Sequence, residues 1–188
     1  MRSTPISREA EERGLASVKG IDDGKSLLEL AKSLGNPIRN HRGEFMRELR
    51  VMPRTVARPN TLSATFGTGR FPLHTDTALW TVPARFLVMR AIGDTRRSTT
   101  VCPFGKLFAL AGERLTTAIR KSIWTLKGET ASIYCEMAFR TPNHCCGFRY
   151  DRQCMAPANP AAQEVAEYLS SEQSETPVQK FCGPIEPR

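Results

Sequence analysis

Past residue 60 the chain is cut by Pro and Gly into short apolar runs, interrupted by one long helical stretch. Runs of roughly four to eight residues bounded by turn formers read as β-strands. The spacing predicts strands over 71–76, 84–92, 99–102, 122–126, 131–140 and 145–151, with a shorter one around 48–52. Residues 104–121 read as helix, broken at Gly112. In 132–139, alternation puts Ile133, Cys135, Met137 and Phe139 on one face, with Ser132, Tyr134, Glu136 and Ala138 on the other. Asn159 followed by Pro160 marks the start of a helix running to about residue 171. An earlier amphipathic helix is predicted over 22–34, capped by Asp, with Leu27, Leu28, Leu30, Ala31 and Leu34 at helical spacing and Gly35 as its stop. The final segment, 174–188, shows no element. Short strands with helical insertions imply an α+β domain built on a β-sandwich or jelly roll.

Length and composition set the class. A chain of 188 residues can bury one core, and 40% hydrophobic with 24% charged residues is ordinary for a globular protein. Residues 1–20 are polar and expected to be disordered, leaving 21–188 as the domain. No apolar run approaches the ~18 residues a membrane span needs. The N-terminus has no apolar core of a secretory signal, so a cytoplasmic location is expected. Six cysteines then read as reduced thiols. Cys145 and Cys146 are adjacent, and with Cys154 and Cys182 they fit no zinc spacing. The net charge of +8 comes from scattered residues such as Arg39, Arg42, Arg96, Arg97, Arg120 and Lys121. No dense basic tract with interleaved aromatics appears, so a nucleic-acid interface is not expected. A solvated surface or an anionic small substrate accounts for the charge.

The chemistry-bearing motif is His74-x-Asp76, inside the predicted strand 71–76. Side chains at i and i+2 of a strand project to the same face. An imidazole and a carboxylate side by side are two of the three ligands in the 2-His-1-carboxylate triad of non-heme Fe(II) oxygenases. A hydrogen-bonded surface pair is the plainer alternative. Pro72 suits an edge strand, and Gly67 and Gly69 permit a tight approach before it.

The stretch SATFGTGRFPLHTDTA at 63–78 resembles the clavaminate synthase-like and taurine dioxygenase-like (TauD/TfdA-like) branch of the Fe(II)/2-oxoglutarate-dependent oxygenases. PARFLVMR at 83–90, STTV at 98–101 and FRYDRQCM at 148–155 are similar to later segments of that family, with only the His-x-Asp region specific. The resemblance implies a double-stranded β-helix (jelly-roll) core with helical insertions, incomplete at its C-terminal end. It implies Fe(II) held by His74 and Asp76, and 2-oxoglutarate hydrogen-bonded by Thr100 or its neighbour Thr99. It further implies hydroxylation of a small molecule, such as an amino acid or other anionic metabolite, coupled to decarboxylation of the co-substrate. The family's distal His and its 2-oxoglutarate-binding Arg have no counterpart in the family's context here. His144, 70 residues beyond His74 (144 − 74), is the one later His and the remaining candidate for third ligand. Without those two residues the domain is expected to be inactive, or a non-catalytic remnant or binding module of the same fold. Arg149 is a candidate for binding a substrate carboxylate, with a salt bridge to Asp151 as the structural alternative.

Overall fold

Thr4, Asp23, Thr61 and Asn159 each cap the start of a helix through a side-chain oxygen. The computed structural model describes residues 4–40, 42–50, 52–59, 61–92, 99–127, 132–141, 146–171 and 179–181, and it is mixed α+β. The chain divides into two compact units.

The first unit comprises residues 1–48, 86–104 and 177–188. Helix α1 (Pro5–Arg13) lies in the stretch expected to be disordered. Its apolar periodicity is poor, but its end groups are right: Thr4 Oγ1 accepts from the Ser7 amide at 3.1 Å, and Pro5 occupies the first turn. Helix α2 (Gly24–Leu34) follows the sequence reading, with Asp23 as its cap. The Asp23 carboxylate accepts from the Ser26 amide at 2.7 Å and from the Ser26 hydroxyl, closing a capping box. Strand β1 (Thr99–Val101) pairs antiparallel with β7 (Gln179–Phe181), Thr100 opposite Lys180. Strand β7 falls in the segment where no element was expected. The predicted strand 84–92 is not formed, and Leu87, Met89 and Ile92 are exposed. An apolar run becomes a strand only when a neighbour accepts its ladder, and among the described residues none does here.

The second unit comprises residues 49–85 and 105–176. A 3-10 turn (Arg54–Val56) and the short helix α3 (Leu62–Phe66) come first. The predicted strand 48–52 has no regular structure in its described residues. Helix α4 (Phe104–Lys121) is broken at Gly112, whose φ of 72° and ψ of 173° leave the helical region. That conformation suits glycine because it has no Cβ to clash.

Strand β2 (Ile123–Lys127) is the centre of a three-stranded antiparallel sheet, between β3 (Ser132–Glu136) and β6 (Met155–Pro157). Trp124 stands opposite Cys135 on one side and Pro157 on the other. The run predicted as one strand over 131–140 bends at the fully buried Met137, and β4 (Ala138–Arg140) turns away to pair with β5 (Cys146–Phe148). Of the face expected to be apolar, Met137 is buried while Ile133 is 50% exposed, because the bend ends the shared surface. Helix α5 (Pro160–Ser170) packs Ala162 and Val165 inward.

Every buried apolar residue among those described lies in this unit, including Leu115, Ile119, Trp124, Leu126, Tyr150 and Met155. Trp124 donates its indole N–H to Ser122 Oγ at 2.9 Å, and Ser122 donates to the Ile119 carbonyl at 2.8 Å. A chain of donors thus lets a Trp enter the core without an orphaned polar group. Its ring meets Tyr150 edge-on, centroids 5.6 Å apart. No helix among the described residues is long and apolar enough to cross a membrane.

Candidate metal site

The segment bearing His74 and Asp76 is not a strand. Residues 71–75 have no regular structure and 76–79 form a turn, so the two side chains do not share a strand face as the sequence predicted. The run ends in a strained turn. Thr77 has φ of 61°, the only positive φ at a non-glycine position among the described residues. For a β-branched residue this left-handed conformation costs about 1–3 kcal/mol, which the surroundings must offset. Its carbonyl accepts from the Trp80 amide at 2.9 Å, and its hydroxyl accepts from the Ala84 amide at 2.8 Å.

His74 is half-buried and Asp76 is exposed. His74 Nδ1 lies 2.9 Å from the Pro72 carbonyl. A carbonyl only accepts, so Nδ1 carries a proton, and a lone pair for a metal can come only from Nε2. Metal-binding imidazoles commonly have their far nitrogen fixed in this way. Among the described residues, neither Nε2 nor the Asp76 carboxylate has a hydrogen-bonding partner. The donor chemistry, one imidazole nitrogen and one carboxylate, suits Fe(II). Among the described residues no three His, Cys, Asp or Glu side chains gather into a metal-holding group.

His74, Asp76 and Arg149 belong to the second unit, whereas Thr99 and Thr100 lie on β1 of the first. His144 lies outside the described residues. Arg149 is 5% exposed, and its guanidinium is taken up by backbone. One terminal nitrogen donates to the carbonyls of Trp80 (2.8 Å) and Ala78 (3.4 Å), the other to that of Thr81 (2.9 Å). Its carbon lies 4.6 Å from the centroid of the Phe139 ring, a cation–π contact. The alternative salt bridge with Asp151 is not found, and Asp151 Oδ1 accepts instead from the Gln153 amide at 2.9 Å. Arg149 Nε is buried with no partner among the described residues.

Sequence reasoning passed over the residues around this arginine. Thr75, between the two candidate ligands, donates its amide to the Tyr150 carbonyl at 2.7 Å and accepts from the Tyr150 amide through its hydroxyl at 2.9 Å. Gly147 leaves room for Phe139 across the β4–β5 pair: a Cβ there would come within 2.4 Å of the ring. The one available signal was an arginine between Phe148 and Tyr150 inside the predicted strand 145–151, a place where a charge has to find buried partners.

Elsewhere in this unit, α4 and α5 leave an open groove lined by Glu113, Thr117, Lys121 and Pro160, where Arg114 pairs with Glu164 at 2.7 Å. None of the residues nominated from sequence borders it. No family model, curated protein or solved structure matches this chain.

Proposed function

We propose that this chain is a domain of the non-heme Fe(II)/2-oxoglutarate-dependent oxygenase class, with a jelly-roll core and with His74 and Asp76 as its iron ligands. The observation that carries the reading is the Nδ1 contact of His74 with the Pro72 carbonyl, which leaves Nε2 as the nitrogen open to a metal, with an unpartnered carboxylate two residues on along the chain. Bound iron together with 2-oxoglutarate supplies O₂-dependent hydroxylation. In this reading His144 is the third ligand, and Thr100 or Thr99 holds the co-substrate. The substrate is a small anionic metabolite, in keeping with the net charge of +8, and the enzyme works in the cytoplasm.

A second reading, a non-catalytic binding module, is favoured by the position of 71–76 outside any ladder. Anaerobic titration with ferrous ion separates the two. The oxygenase reading expects one ion bound per chain, with binding abolished in His74→Ala and in Asp76→Ala, and succinate released on adding 2-oxoglutarate and O₂. A well-folded chain that takes up no ferrous ion overturns it in favour of the binding module.

A further inference from the structure

Residues 74–81 carry the two candidate ligands and a strained turn, yet they form no ladder that would hold them. Their long-range hydrogen bonds converge instead on two consecutive residues. Tyr150 takes Thr75 through backbone groups, and Arg149 takes the carbonyls of Ala78, Trp80 and Thr81. Asp76 and the left-handed Thr77 lie between those two grips. We infer that Arg149 is the positioning residue of the His74–Asp76 segment, its guanidinium fixing the turn from which the Asp76 carboxylate projects.

Three observations meet here. A planar fork reaches carbonyls from two separate terminal nitrogens in fixed directions, whereas an ammonium offers its three donors from a single atom. The buried charge has no carboxylate partner among the described residues, and carbonyl dipoles and the Phe139 ring face it instead. The backbone of Arg149 is itself pinned, its amide donating to the Met137 carbonyl at 2.9 Å. A rigid base therefore holds a turn that local sequence alone disfavours.

The consequence for metal binding rests on the proposed iron site, whereas the geometry of the grip does not. The test is amide hydrogen exchange on the full chain at Thr75, Trp80 and Ala84, in wild type, Arg149→Met and Arg149→Lys. Protection at these three amides should fall on the order of tenfold or more in both variants, with that of Leu126 and Ala162 unchanged. Lysine keeps the charge and the better-tolerated polar tip, so it guards against a Met variant that fails to fold. In parallel, ferrous-ion affinity should drop roughly 10–100-fold at unchanged stoichiometry, as for other residues that orient ligands. Unchanged protection at the three amides overturns the inference. So does a loss shared equally by Leu126 and Ala162, which would make Arg149 a general stabiliser. Wild type that binds no ferrous ion sinks the oxygenase reading, while the exchange data still decide the grip.

Discussion

The Cys154 thiol is pushed up to about 12, first by burial and next by the neighbouring Asp151 carboxylate. Burial likewise raises Cys135, against the pull of the Arg149 charge, and raises Tyr150. In the unfolded chain a thiol releases its proton near 9.0, while folded Cys154 keeps it. Between pH 9 and about 12 the unfolded state therefore binds fewer protons, and stability falls as pH rises. Below pH 9 this effect is absent. Urea midpoints taken from pH 8 to 11 should decline, and Cys154→Ala should flatten the decline, with the remainder due to Cys135 and Tyr150. An identical alkaline slope in the variant would contradict this account of the thiol.

At the scale of elements, Asn159 joins three pieces of backbone. Its Oδ1 accepts from the Ala162 amide at 2.9 Å, as a helix cap, and from the Ile123 amide at 3.2 Å, while its Nδ2 donates to the Lys121 carbonyl at 2.9 Å. A cap alone contributes about 1 kcal/mol, and two further bonds, one at the end of α4 and one at the start of β2, raise that. Asn159→Ala should destabilise the chain by about 2 kcal/mol in urea unfolding, and Asn159→Asp, which keeps the acceptor but replaces the donor to Lys121 with an oxygen, should recover only part of it. Asn159, an Asp cap for α2 and Gly112 were legible in the sequence because caps and breaks are decided by a few adjacent residues. The segments 71–76 and 84–92 were misread because strand identity belongs to a pair, and apolar alternation cannot name its partner. β7 escaped notice for the same reason: pairing with β1 makes it a strand, without an apolar pattern of its own. At the candidate site, the residue types were legible at His74 and Asp76. Their setting was not, since it is imposed by Arg149 and Tyr150, far along the chain.

Across the molecule, apolar burial is uneven. The described residues of the second unit hold the whole buried apolar set, whereas Ser7 is the one buried residue among those described in the first. Local stability follows buried contacts, so opening should be easiest where they are fewest. Exchange protection should peak in β2, α5 and the later half of α4, with the amides of α1 and α2 exchanging fastest among the helices. A map in which α1 or α2 is as slow as β2 would rule this out.

The grip on 74–81 has a consequence in time as well as in space. Its hydrogen bonds join residues 68 to 75 positions apart, so they form only after a large loop has closed. During synthesis the strained turn at Thr77 has only its local bonds to Trp80 and Ala84 until residues 149 and 150 have left the ribosome. The ligand-bearing segment is thus among the last parts of its unit to settle.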